Sequence, residues 1–453
     1  MQRIRTFTAV VVAVAALQFA STSSAPAQIK DGDVIVSAFF DLNQAFNQGV
    51  IMYFDPMNPT VLSTLTTEVV ASSFHNWIGM APNNADVVVS EVPNSFATSR
   101  LLQINPGGIA QTIAPLVQGS VEGFELDGDN QYIAIAGLGS GSTLLSIDAS
   151  NGTIQTLHLA NGANDLYNEV AIMREGGVTY AVANFTLSSM TLPKLLNLDR
   201  TGVQSTLLAS AGNPLEQISA IDLDPRTGDL IVTDFDGPSQ TEPNGTEVSR
   251  FRLGGMITTL TAFVGANAVK VAQDETAYVA GFTVQGATFN NSVLRYDLKT
   301  NTVITIFQVS ALSGANWSLS GVEIYGSHPL TVNGTGGPSA TISVSLNSQD
   351  RFAPNASYQI ACSFARRPGL TLPNGERLHL NVTDNLFSLT AQNLAPTIFR
   401  NFGGRLNALG SAAASIVLPA SFPSGLGISV FCAGVVYNTG GVIEVTNTHW
   451  FGL

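Results

Sequence analysis

Six short apolar strands recurring about every 48 residues, turn residues after each, and a beat that stops after Tyr325 predict an all-β fold. The expected architecture is a six-bladed β-propeller followed by a small β-sandwich. Aligned on one apolar position, the strands centre on Phe54, Ile104, Ile147, Leu198, Phe251 and Tyr296, at spacings of 50, 43, 51, 53 and 45 residues.

The chain opens with an export pattern. Arg3 and Arg5 supply a positive start, and residues 9–20 form an apolar stretch too short to span a bilayer. Ala25-Pro26-Ala27 then reads as an A-x-A cleavage site. Residues 1–27 are expected to be a signal peptide, cleaved before Gln28, which places the mature protein outside the cell or in the periplasm. No later segment is apolar for long enough to be a membrane span.

Charged residues make up 11% of the chain, against about a quarter in ordinary globular proteins. The net charge of −13 argues against a nucleic-acid partner and against docking on anionic lipid, because both need Lys and Arg. Cys362 and Cys432 are the two cysteines. In an exported chain they are expected to form one disulfide, and closing a loop of this length stabilises by about 4 kcal/mol in the chain-entropy model.

The propeller is expected over residues 28–330. Its clearest copy, residues 218–263, reads ISAIDLD, PRTG, DLIVTDF, a loop, VSRFRL, GG and MITTLTAF. Four strands rich in Val, Ile, Thr and Phe with tight turns between them make one blade. The third and fourth strands of each copy are separated by turn residues: DPMNP, NPGG, DASNG, DRTG, RLGG and DLKTN. The first copy lacks an inner strand, because it starts on the second-strand run 34–39. The last copy is only an inner strand, residues 319–325. The two fragments are expected to complete one blade and close the ring, which removes a free sheet edge.

Inner strands border the central channel. Aligning the copies gives one position per blade near the strand start: Ile78, Glu122, Glu169, Ser219, Asn267 and Ser320. The preceding loops add His75, Asn76, Asn168 and Glu216.

The copies resemble six-bladed propellers of the gluconolactonase-like and NHL/YWTD-like group, most closely in AIDLDPRTGDLIVTDF, residues 220–235. In gluconolactonase-like enzymes, acidic and Asn residues at the start of inner strands hold a divalent cation at the channel mouth. The resemblance implies a metal held by Glu122, Glu169 and Asn267, with Asn76 or Glu216 nearby. Such oxygen ligands suit Ca²⁺ or another hard divalent cation. Ser219 and Ser320 depart from the pattern, standing where acidic residues are expected.

Other motifs carry less. The acidic runs 126–129 and 222–229 lack full calcium-loop spacing and sit at hairpins, so turn formation explains them. The five His are scattered, with no H-E-x-x-H arrangement.

Residues 331–339 are Gly-rich and read as a linker, and residues 340–453 as the sandwich, with strands expected at 340–346, 358–364, 378–382, 414–418, 428–434 and 442–446. Residues 410–436, with EVTN at 444–447, resemble a C-terminal β-sandwich module of large secreted proteins of environmental bacteria. That resemblance implies export and surface association. Trp450 and Tyr437 are candidates for stacking on sugar.

Two functions follow from different classes. The first is a secreted binding or interaction scaffold that uses a propeller loop face to engage a protein, carbohydrate or small-molecule ligand. The alternative is a metal-dependent hydrolase of lactone or ester type at the channel mouth, the ion polarising a carbonyl.

Overall fold

The computed structural model describes residues 29–40, 48–66, 73–93, 97–127, 131–138, 141–159, 165–173, 179–186, 194–199, 204–208, 218–234, 247–252, 256–263, 265–285, 288–310, 317–347 and 354–453. The export segment 1–27 and Glu216 lie outside them.

Alternating apolar residues and turn residues produce six four-stranded antiparallel sheets from the first part of the chain. Five are built from consecutive strands, beginning with the inner strands Ser73–Met80, Ser120–Asp127, Asp165–Met173, Ile218–Leu223 and Ala268–Val271. They are numbered here as blades 2 to 6. Blade 1 is assembled from both ends of the repeat: strand Trp317–Ile324 pairs antiparallel with Val34–Phe40, Ile324 opposite Val34. The closure predicted from the two partial copies is therefore present.

The six anchors, Phe54, Ile104, Ile147, Leu198, Phe251 and Tyr296, are all buried. Each contributes on the order of 1.5–3 kcal/mol by leaving water. The turns after them are held by their first residues. Asp55, Asn105, Asp148 and Asp297 each accept, on Oδ1, the N–H two residues on, at 2.7, 3.0, 2.8 and 2.7 Å. The acidic run 222–229 is likewise structural. Asp224 caps its own turn through the Arg226 N–H at 2.9 Å and pairs with Arg250 at 3.1 Å.

Among the described residues from Leu330 onward, two larger sheets pack together. One contains Leu330–Asn333, Thr341–Leu346, Ala412–Val417 and Phe399–Arg400; the other contains Gly403–Arg405, Ser357–Ser363, Ser429–Asn438, Gly441–Val445 and His449–Gly452. Val344, Ile360, Phe402, Ile416, Val436 and Phe451 fill the space between them.

Cys362 and Cys432 stand opposite each other on adjacent strands and form the disulfide, which closes a sequence separation of 70 residues. It joins neighbours within one sheet rather than bridging the two.

Three expectations are corrected. The linker range 331–339 starts inside a strand, because Leu330–Asn333 pairs with Thr341–Leu346. The strand expected at 378–382 is reduced to a two-residue pairing, Arg377–Leu378 with Leu370–Thr371. Asp384 then caps the short helix Asn385–Ala391, accepting the Leu386 N–H at 2.7 Å. Trp450 is 1% exposed and packs in the core, so it offers no face to a sugar.

The sandwich sits against the end of the propeller where inner strands turn into second strands. Asn84 of blade 2 donates to the Asn347 carbonyl at 3.3 Å and accepts the His328 N–H at 2.7 Å. Tyr325 donates its hydroxyl to the Ala85 carbonyl at 2.7 Å. At the same end Glu275 takes Arg226 at 3.1 Å and faces His379 Nε2 of the sandwich at 4.0 Å.

Closure predicts a cost at the closing strand. Leu319 is fully buried there, so Leu319→Ala is expected to lower the unfolding free energy by about 2–5 kcal/mol. The same change at exposed Leu116 is expected to stay within about 0.5 kcal/mol. Urea unfolding of the two variants checks this.

Candidate functional site at the propeller axis

An inner strand has no further strand on its axial side, so its edge N–H and C=O groups need other partners. Side chains of the preceding blade supply them. Ser320 of blade 1 donates to the His75 carbonyl of blade 2 at 2.8 Å. Asn76 of blade 2 donates to the Val121 carbonyl of blade 3 at 3.0 Å. Ser219 of blade 5 donates to the Ala266 carbonyl of blade 6, and Asn267 of blade 6 to the Leu319 carbonyl of blade 1 at 2.8 Å. Glu122 is a carboxylate, and Ser142 of its blade lies within 3.4 Å of the Tyr167 carbonyl of blade 4.

The backbone reason is a shift of register. Pairing skips Ser320, Asn76 with Trp77, Glu122, Asn168 and Ser219 in five of the inner strands. In blade 6 the strand begins just after Asn267. Such bulges turn a side chain away from the regular pleat.

The equivalent positions are therefore Asn76, Glu122, Asn168, Ser219, Asn267 and Ser320. Blade 2 contributes Asn76 in place of Ile78, and blade 4 contributes Asn168 in place of Glu169. Each of these polar residues directly follows a carbonyl at the axial edge, a register that becomes visible only once the neighbouring blade is in place.

The three proposed ligands do not share one set of partners. Glu122 accepts from Asn76 Nδ2 at 2.9 Å, and burial raises its pKa despite hydrogen bonds from Ser120 and Asn76. Asn267 commits its Nδ2 to Leu319 and, at 3.2 Å, to Ser318. Glu169 lines an axial cavity to which neither Glu122 nor Asn267 contributes.

That cavity, about 20 Å³, is walled by all six inner strands. It has room for about one water. Glu125, Asp222, Lys270 and Glu323 line it with Glu169. Lys270 Nζ lies 3.5 Å from Glu323 and 4.0 Å from Glu125.

A second set of ties between blades forms here. Glu125 accepts the Ile172 N–H of blade 4 at 3.1 Å, and Asp222 accepts the Val271 N–H of blade 6 at 2.6 Å. Sequence reasoning missed this ring. Its signal was four charged residues three places after Glu122, Ser219, Asn267 and Ser320, where inner strands should be apolar.

Burial opposes the Lys270 charge, but the carboxylates of Glu323, Asp222 and Glu125 outweigh it and raise its pKa above the ordinary lysine value. Burial also raises Asp222 and Glu323, with Lys270 working the other way. Glu169 is 1% exposed; burial pushes it well above the usual range, with only the Val170 N–H, at 2.8 Å, as its hydrogen-bond partner among the described residues.

Below the axis, two cavities separate the propeller from the sandwich. One of about 110 Å³ is lined by Lys270, Gln273, His328, Arg366 and His449, among others. One of about 310 Å³ lies between Gln273, Asp274 and Tyr278 on one side and Glu376, Arg377 and Glu444 on the other. Among the described residues, no three His, Cys, Asp or Glu side chains are arranged to hold a metal ion.

Neither a protein-family model nor a curated protein matches the chain. Among solved structures it is similar to TolB from Acinetobacter baumannii, at 10% identity over 64% of this chain and 67% of that one, with a TM-score of 0.43. It is also similar to a putative gluconolactonase, at 13% identity over 61% and 86%, TM-score 0.35. YCF48 bound to D1 peptide gives 13% identity over 72% and 94%, TM-score 0.35. The six sheets and their closure carry the fold assignment by themselves.

The state of Glu169 predicts a pH dependence. Its folded pKa lies above the ordinary 4.5, so above about pH 4.5 the folded state retains a proton that the unfolded chain gives up. Stability from this group therefore falls as pH rises. Glu169→Gln keeps the acceptor for Val170 and removes the titration. The variant is expected to gain stability over the wild type between about pH 5 and pH 8, read from urea midpoints at both.

Proposed function

We propose that the protein is an exported binding scaffold that meets its ligand on the propeller face opposite the sandwich. The observation that carries this reading is the filled axis. The mouth side chains Asn76, Ser219, Asn267 and Ser320 are committed to the next blade's carbonyls, and the axial cavity below them admits about one water. The opposite end is covered by the sandwich, where Asn84 donates to the Asn347 carbonyl and Glu275 faces His379. The loop face is left as the surface for a protein, carbohydrate or small-molecule partner.

The metal-dependent lactone or ester hydrolase remains the second reading. It rests on the buried Glu122 carboxylate at the mouth, which accepts Asn76 Nδ2 at 2.9 Å and is an oxygen ligand suited to Ca²⁺ or another divalent cation.

The two readings separate in two assays. A photoreactive residue placed at half-buried Ser318, by the mouth, is expected to cross-link a partner in the producing culture. The same residue at exposed Asn374 of the sandwich is expected to cross-link none. The purified protein is expected to leave aryl esters and lactones unhydrolysed with or without Ca²⁺. Ca²⁺-stimulated turnover that disappears in Glu122→Gln would overturn the scaffold reading in favour of the hydrolase.

A further inference from the structure

The axial cavity collects four carboxylates from four blades: Glu125, Glu169, Asp222 and Glu323. Gathering them out of bulk water would drive the blades apart unless positive charge or protons compensate. Each carboxylate is anchored by a backbone N–H. Glu125 takes Ile172, Glu169 takes Val170, Asp222 takes Leu223 and Val271, and Glu323 takes Ile324. The anchoring orients the remaining oxygens. Glu125 Oε1 and Glu323 Oε2 are the atoms nearest the Lys270 ammonium, at 4.0 and 3.5 Å. Glu169 Oε2, on a residue 1% exposed, has no hydrogen-bond partner among the described residues.

We propose that Lys270 is the propeller's resident cation: its ammonium supplies, from within the chain, the positive charge on the axis that a bound metal ion could otherwise supply to the carboxylates around it. The compact ammonium suits the role. It is a point charge with three donors, and its flexible stem lets it reach the axis from blade 6. The account differs from a metal on Glu122, Glu169 and Asn267, because only Glu169 of those three belongs to this cavity. It also fits the charged residues that stand at one inner-strand position in four blades: Glu125 and Asp222 tie neighbouring blades, and the lysine offsets part of the carboxylate charge.

The inference is tested with Ca²⁺ and Mn²⁺ alone, by thermal unfolding and by Mn²⁺ electron paramagnetic resonance on the full chain. The wild type is expected to keep its melting temperature in chelator and in millimolar Ca²⁺. Lys270→Ala removes the ammonium and leaves the oxygens. It is expected to melt roughly 10 °C lower in chelator, since an uncompensated buried charge is left behind. It is expected to recover much of that loss in Ca²⁺ and to bind one Mn²⁺.

The neutral pair Lys270→Met with Glu323→Gln keeps the axial net charge of the wild type and removes one of the carboxylates; it is expected to fold and to respond to Ca²⁺ less than Lys270→Ala. Stoichiometric metal in the wild type that is lost in Glu169→Gln would contradict the proposal. So would a Lys270→Ala variant as stable as wild type in chelator. Failure of both Lys270→Ala and the neutral pair to fold at any Ca²⁺ concentration would also overturn it.

Discussion

The free edge of the inner strand is the constraint on which this structure depends. Six inner strands converge on one axis, and each brings N–H and C=O groups that no further strand can pair. An unsatisfied buried polar group costs about 1–3 kcal/mol, so a handful of them would cancel the 5–15 kcal/mol by which a domain is usually stable. The chain answers with side chains that reach forward by one blade. Ser320, Asn76, Ser219 and Asn267 donate to the next carbonyl, and Glu125 and Asp222 accept the next N–H. Apolar packing holds each blade together. Polar reach holds one blade to the next.

The same economy explains the charge on the axis. A carboxylate that accepts a backbone N–H is a strong tie, because a charged acceptor roughly doubles a hydrogen bond's strength. Several such ties around one axis accumulate negative charge between the one-water axial cavity and the cavity of about 110 Å³ that Glu125, Asp222 and Lys270 also line. Lys270 relieves it by its own charge, and burial raises the pKa of Glu169, which favours its uncharged form. The result is a closed axis. The sandwich, seated on the hairpins around Asn84 and Glu275, covers one end of it.

Much of the fold was legible in the residues, because it rests on period and turn chemistry. The six anchors are buried and the turn acids cap their turns. The closing strand pairs where two partial copies required it. The site was legible only in part. A bulge shifts the register of the inner strand within the copy, so an alignment on apolar neighbours chose Glu169 in place of Asn168 and Ile78 in place of Asn76. Local spacing does not reveal such a shift, because it is set by contacts with the neighbouring blade. The helix Asn385–Ala391 was hidden for another reason. Its seven residues carry too little period to stand out from a strand, and the decisive signal is the single cap Asp384.

The most direct measurement of the central claim is amide hydrogen exchange at Ile172 and Val271, whose N–H groups are held by Glu125 and Asp222 of the preceding blades. If blades are stapled to one another through these side chains, both amides exchange only by global unfolding. Asp222→Ala then releases Val271 selectively while Ile172 stays protected. Fast exchange at Val271 in the wild type, or unchanged protection in Asp222→Ala, would contradict the account.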